Sequence, residues 1–219
     1  MKYKAIIFDM DGTIISTEPI WEQASKQLLK KHANLSEDDC QAVLPQLKGA
    51  SLYTTCAYIK KTFNLAITIE ELMEEKKTFA FTRFKNQIQL IDGFDRFHRA
   101  ATTLNLKSAI ATNASQTELD EVLTHVPLNS FFQGHMYTID RVFKIPKPQP
   151  HIYLYAAQQL NMNPSECIAI EDSTHGITSA KTAGMFCIGI NTGKDHAALA
   201  RADMIIEHYD EINLEKLLW

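Results

Sequence analysis

The chain has 219 residues, 45% of them hydrophobic, and 22 Lys and Arg stand against 26 Asp and Glu for a formal charge of −4. That length can bury one large domain or one domain carrying an insertion. The slight acidity, with no basic block, argues against a protein that tracks a nucleic-acid backbone. No apolar run is long enough to span a bilayer or to act as a secretory h-region, so a cytoplasmic monomer without nucleic-acid or membrane partners is expected. Cys40, Cys56, Cys167 and Cys187 lack CxxC spacing and read as buried free thiols rather than disulfides or metal ligands.

In chain order, Ala5-Ile6-Ile7-Phe8 is a buried strand that ends in Asp9-Met10-Asp11-Gly12-Thr13. Extended side chains alternate, so Asp9 and Asp11 project the same way. On its own this stretch is equally an ordinary Asp-Gly turn. Ser16-Thr17-Glu18-Pro19 then announces a helix, carried from Ile20 to His32 by Trp21, Ala24, Leu28 and Leu29. A short helix opens at Ser36 with Asp39 and stops at Pro45; Leu52, Cys56, Ile59 and Phe63 mark a third. A fourth starts at Thr68 with a capping box to Glu71 and runs to Phe84. Residues 16–86 therefore read as all-helical.

Beyond Gly93 the pattern becomes strand and helix in alternation. Apolar runs at 108–111, 167–170 and 186–190 end in Thr112-Asn113, Glu171-Asp172 and Asn191-Thr192, with a further strand at 204–206. Helical segments run over 94–104, 118–126, 152–160 and 177–183. Continuous rather than alternating apolar strands predict a parallel sheet covered on both faces. Such a sheet binds ligands beyond the carboxyl ends of its strands.

That rule gathers Asp9, Asp11, Thr112, Asn113, Glu171 and Asp172 on one edge. Two carboxylates about 4 Å apart repel by roughly 4 kcal/mol at an effective dielectric of 20, so such a cluster should recruit a hard cation or shift its pKa values. Oxygen ligands without His or Cys point to Mg²⁺. Lys147, stiffened by Pro146 and Pro148, is a plausible phosphate clamp, and Thr112 and Asn113 can donate to phosphate oxygens. The set fits phosphoryl transfer through an aspartyl-phosphate, with Asp9 as nucleophile and metal ligand and Asp11 moving the proton.

Taken together, Asp9-Met10-Asp11-Gly12-Thr13, Thr112-Asn113, Lys147-Pro148-Gln149-Pro150 and Glu171-Asp172-Ser173 resemble the four motifs of the haloacid dehalogenase superfamily. The resemblance covers essentially the whole chain, in the β-phosphoglucomutase-like and sugar-phosphate phosphatase branch with a helical C1 cap. It implies an α/β, Rossmann-like parallel-sheet core over 1–15 and 88–219 and an inserted all-helical cap over 16–87. It further implies that Asp11 also ligates metal through its backbone carbonyl, that Asp172 is the main acidic ligand with Glu171 a second, direct or through water, and that Lys147 offsets charge on Asp9 and phosphate. The expected activity is Mg²⁺-dependent hydrolysis of a small phosphorylated metabolite, of which sugar phosphates are the expected class.

Two alternatives stay open, a phosphosugar mutase and a non-catalytic phospho-ligand binder. Gln46-Leu47-Lys48-Gly49-Ala50-Ser51 is similar to the substrate loop of the mutase. Trp21 and Leu52, however, stand where that mutase has its cap histidine and its distal-phosphate arginine, which favours hydrolysis. Glu18 could bond sugar hydroxyls or simply favour a helix N-terminus; Lys48 could reach over the site or be solvated.

Overall fold

The computed structural model describes residues 1–47 and 50–218, the side chain of Asn86 aside. The chain divides into two compact units, Met1–Ser16 with Gln89–Trp219, and Thr17–Ile88.

The first unit is built on six parallel strands, β1 (Ala5–Phe8), β2 (Lys107–Ala111), β3 (Met136–Tyr137), β4 (Cys167–Glu171), β5 (Phe186–Ile190) and β6 (Met204–Ile206), in the order β3-β2-β1-β4-β5-β6. β1 is central: Phe8 pairs in register with Ile110 on one side and Ile170 on the other. Every strand therefore points its carboxyl end at one edge, and the order reverses at β1.

The two faces of the sheet pack differently. Ala5, Ile7, Ala109, Ala111, Ala169 and Cys187 lie against α8 (His151–Gln159) and α9 (Thr174–Thr182), where small residues let the helices approach. On the other face Phe8 meets Phe94, Phe97 and Phe132, with ring centroids 5.5, 6.2 and 5.7 Å away. Phe94 and Phe97 come from α5 (Phe94–Thr103) and Phe132 from α7 (Asn129–Phe132). Phe8→Ala would cost about 3–5 kcal/mol through lost burial and the cavity left behind. Helix α6 (Gln116–His125) and a terminal α10 (Leu214–Leu218) complete the unit.

Neither α7, α10 nor β3 stands out in the sequence, because a turn of helix and a two-residue edge strand leave no periodicity to read. The four cysteines are free and buried. None of the described helices is long and apolar enough to cross a membrane.

The second unit holds α1 (Glu18–Ala33), α2 (Glu37–Val43), α3 (Leu52–Thr62) and α4 (Ile69–Gln87). Both capping boxes form, Ser36 with Asp39 and Thr68 with Glu71, satisfying N-terminal amides. Helix α1 starts where Ser16-Thr17-Glu18-Pro19 announces it, with Thr17 at the N-cap and Pro19 in the first turn, though the Thr17 side chain makes no cap bond. Pro45 ends α2 in a short 3-10 turn, Leu44–Gln46. Leu28, Leu29, Cys40, Leu44, Cys56, Ile59 and Leu72 form the unit's own core.

Candidate active site

Because β1 lies between β2 and β4, Asp9, Thr112 and Glu171 leave the sheet side by side. The Asp9 N–H bonds the Ile170 carbonyl at 2.9 Å, and the Thr112 N–H bonds that of Tyr137 at 3.0 Å. Lys147 comes from the loop before α8, and its ammonium donates to Asp9 Oδ1 at 2.5 Å and to Glu171 Oε1 at 2.6 Å. The loop is fixed from the β2 side, where Asn113 Oδ1 accepts the Lys147 N–H at 3.0 Å. Asn113 therefore uses its oxygen to hold the lysine, leaving its amide nitrogen as the donor.

Glu171 is fully buried and both its oxygens are engaged. Oε1 accepts from Lys147 and from the Tyr153 hydroxyl at 2.8 Å, while Oε2 accepts from Ser173 at 3.2 Å. Ser173 caps α9 by accepting the Gly176 N–H at 3.1 Å, so Glu171 lies against a helix N-terminus. A Cβ at Gly176 would stand 1.9 Å from the Glu171 carboxylate, which is why the first turn of this helix carries glycine. The Tyr153 ring lies under the Lys147 ammonium, 4.9 Å from centroid to nitrogen.

Asp172 sits on the other side of the strand end, against the Asp11–Gly12 turn. Gly12 has φ +78°, and a Cβ there would lie 2.1 Å from Asp172 Oδ2. Asp11 itself bridges to Ile15 across that turn.

Asp9, Glu171 and Asp172 each present a carboxylate oxygen within 4.8 Å of the others. Burial, with the neighbouring charges of Glu171 and Asp11 added, pushes Asp9 up to about 8 despite the opposing pull of Lys147. Burial, with the Asp9 and Glu171 charges, also raises Asp172 well above the carboxylate range. For Lys147 burial pulls downward, but the Asp9 and Glu171 charges and hydrogen bonds outweigh it and hold the ammonium protonated. Ionising all three carboxylates against one ammonium would leave two negative charges uncompensated, which is why the two aspartates resist giving up their protons. An all-oxygen donor set of this kind fits a hard divalent cation, whose charge would reverse the upward shifts.

Asp9, Glu171, Asp172 and Lys147 thus form one cluster, with Thr112 and Asn113 beside it and Asp11 on the adjoining turn. Glu18 belongs to the second unit, as the first residue of α1. Lys48 lies outside the described residues. Ser173 belongs to the fourth motif, whereas nothing in the sequence marks Tyr153 or Gly176 as part of the site. Gly176 stands just before the helical pattern of 177–183 and gives no signal of its contact with Glu171; Tyr153 reads only as one more apolar-face residue of α8. Lys76 on α4 was also missed. It is buried, its ammonium is 5.8 Å from the Trp21 ring centroid, and burial lowers it to about 8.

The family described as haloacid dehalogenase-like hydrolase matches residues 6–190. The validoxylamine A 7'-phosphate phosphatase of Streptomyces hygroscopicus subsp. limoneus is 28% identical over 210 residues, covering 96% of each chain. The β-phosphoglucomutase of Bacillus subtilis is 27% identical, covering 98% of this chain and 93% of its own. Among solved structures, the HAD hydrolase, family IA, variant 3, of Entamoeba histolytica superposes with a TM-score of 0.86 at 28% identity, over 98% of this chain and 97% of that one.

Proposed function

The chain belongs to the haloacid dehalogenase-like hydrolases, and from that premise we propose that it is a cytoplasmic, Mg²⁺-dependent phosphatase of sugar phosphates that works through a phosphoryl group carried on Asp9. The observation that carries this reading is Asp9 itself, buried at the end of the central strand and held by Lys147 at 2.5 Å. An acid that forms a transient ester must be fixed, dry and matched with a cation that offsets the phosphoryl oxygens.

In the first step an Asp9 carboxylate oxygen attacks phosphorus and the bond from phosphorus to the ester oxygen breaks. Asp11 gives its proton to the departing oxygen, so that an alcohol leaves. In the second, Asp11 takes a proton from water as the water oxygen attacks phosphorus. The bond to Asp9 breaks, phosphate is released, and both side chains return to their starting states. Lys147 offsets the charge on Asp9 and on the phosphoryl group throughout, held in place by Glu171 and Asn113. Thr112 and Asn113 donate to phosphoryl oxygens. Asp9, Asp172 and the Asp11 carbonyl, with Glu171 directly or through water, would hold Mg²⁺, whose charge supplies electrostatic stabilisation of the transferring group.

The Thr17–Ile88 unit is the cap that selects substrate, with Glu18 and Lys48 as its contributions to recognition. The named substrates of the relatives, a phosphorylated validoxylamine and phosphoglucose, support a sugar phosphate. Buried free cysteines suit a reducing compartment. All groups of the acid cluster come from one chain, so a monomer suffices.

A mutase reading draws on the Bacillus subtilis relative. Against it, Trp21 packs edge-on to Phe84 with centroids 6.2 Å apart, and Leu52 packs on the cap core. Neither offers the imidazole or guanidinium that handling a second phosphate requires. The experiment is phosphate release from a panel of sugar phosphates, with Mg²⁺ and with chelator, for wild type and Asp9→Asn. Metal-dependent release that Asp9→Asn abolishes is expected. Conversion of β-glucose 1-phosphate to glucose 6-phosphate without net phosphate release would favour the mutase, and binding without turnover the non-catalytic reading.

A further inference from the structure

The turn that carries Asp11 is held both from within and from far along the chain. Within it the Gly12 N–H bonds the Ile15 carbonyl at 2.8 Å, and the Ile14 and Ile15 N–H groups bond the Met10 carbonyl at 2.9 and 3.1 Å. The carbonyls of Gly12 and Thr13 are satisfied instead by two hydroxyls from the last third of the chain. Thr192 Oγ1 donates to the Gly12 carbonyl at 2.6 Å, and the Tyr209 hydroxyl donates to the Thr13 carbonyl at 2.9 Å.

Both donors are firmly mounted. Thr192 follows Asn191, whose N–H bonds the Ile206 carbonyl at 2.8 Å and whose side-chain amide donates to Glu207 at 2.9 Å, tying the end of β5 to β6. Tyr209 is fully buried, with its ring 5.8 Å from Phe94 and 5.2 Å from Phe97. What these bonds hold is a backbone with little freedom to move. Gly12 sits at φ +78° against Asp172, and a small rotation there would swing Asp11 and open the contact with Asp172.

We propose that Thr192 and Tyr209 are positioning residues: together they clamp the Gly12–Thr13 backbone, aiming the Asp11 carboxyl and keeping Asp172 seated against the turn. This rests on the reading of Asp9 as nucleophile and Asp11 as proton donor. Neither residue belongs to the four motifs, and each acts through the main chain rather than on the reacting atoms. Their contribution should follow the demand made on Asp11. An ester whose leaving group needs a proton will suffer from a misaimed Asp11, whereas an ester with a good leaving group will not.

The test compares kcat/KM for benzyl phosphate, whose alkoxide must be protonated, with that for 4-nitrophenyl phosphate, whose phenolate departs unaided. Thr192→Val should lose about tenfold on benzyl phosphate and under about threefold on 4-nitrophenyl phosphate, a modest share of the effect a general acid supplies. Thr192→Ser, which keeps the hydroxyl, should return to within about twofold of wild type by the same logic. Tyr209→Phe keeps the ring packing and should show the same leaving-group bias, so it carries the test if Thr192→Val does not fold. Asp11→Asn sets the pattern the two variants should follow. Equal losses on both esters, or losses that Thr192→Ser does not recover, mean a structural role only and overturn the proposal, as does unchanged kinetics. Turnover surviving in Asp9→Asn overturns the functional reading instead, whereas an inert Asp9→Asn beside unaffected Thr192→Val and Tyr209→Phe overturns the clamp alone.

Discussion

Lys147 in the sheet unit and Lys76 in the helical unit are both buried, and their electrostatics are opposite. Lys147 in the sheet unit is 6% exposed and Lys76 in the helical unit 5% exposed, so burial alone does not separate them. Lys147 meets Asp9 and Glu171 and is held charged. Lys76 faces the Trp21 ring and Cys56, and burial lowers it to about 8. Partners, not depth, decide whether a buried charge is stabilised. One unit spends its buried charge on a compensated cluster, while the other keeps an ammonium that gives up its proton easily.

The same substitution should therefore have opposite effects in the two units. Lys147→Met leaves Asp9 and Glu171 without their cation, and should lower kcat about 10²–10³-fold, the range for removing a preorganised charge at a reacting centre. It should also destabilise the fold by about 3 kcal/mol, the cost of breaking a buried pair. Steady-state kinetics and urea unfolding read the two losses.

Lys76→Met should go the other way, gaining about 2 kcal/mol at pH 7. The sign follows from the lowered folded-state value. Between about 8 in the fold and 10.5 unfolded, the unfolded chain holds more protons, so the wild type gains stability as pH rises through that window. In Lys76→Met that rise should vanish. A variant as destabilised as Lys147→Met would break the contrast.

His98 sharpens the comparison from inside the sheet unit. It is buried beside Phe8 and Phe94, accepts or donates one bond to Ser108 at 2.9 Å, and burial lowers it to about 4. Its stabilising contribution is complete above the unfolded value of 6.5 and is lost as pH falls toward 4. Replacing it with Gln should flatten the acid limb of stability by about 2 kcal/mol. Unfolding free energies of wild type and variant at pH 7 and pH 4.5 read the difference. An unchanged limb would show that depth without a charged partner is not what sets these shifts.

The parallel α/β sheet was legible in sequence because its strands are continuous apolar runs that stop in polar residues, as at Phe8-Asp9 and Ile170-Glu171. The acid cluster was legible for the same reason, since strand ends in a parallel sheet share one edge. What escaped depends on contacts between residues far apart in the chain. Tyr153 on Glu171, Thr192 on Gly12 and Tyr209 on Thr13 are single hydroxyls whose partners no local pattern announces. Lys76 escaped differently: Lys76-Lys77 in an acidic, polar helix reads as a solvated face, and only the packing of α3 and α4 around it shows that one of the two is inside. The sequence shows Glu171 and Asp172 only as adjacent acids at one strand end; the contacts that separate them, Lys147, Tyr153 and Ser173 on the one and Gly12 against the other, are long-range.

The central claim is that the phosphoryl group passes through Asp9. Asp11→Asn, mixed with 4-nitrophenyl phosphate and Mg²⁺ and quenched in acid, should accumulate the intermediate, since transfer onto Asp9 needs no proton for this ester while its hydrolysis needs a base. Reduction with borohydride converts an acyl phosphate to the corresponding alcohol, and peptide mapping locates it. The account predicts homoserine at position 9. An unmodified Asp9 beside a stoichiometric burst of 4-nitrophenol, or modification at another residue, would contradict it.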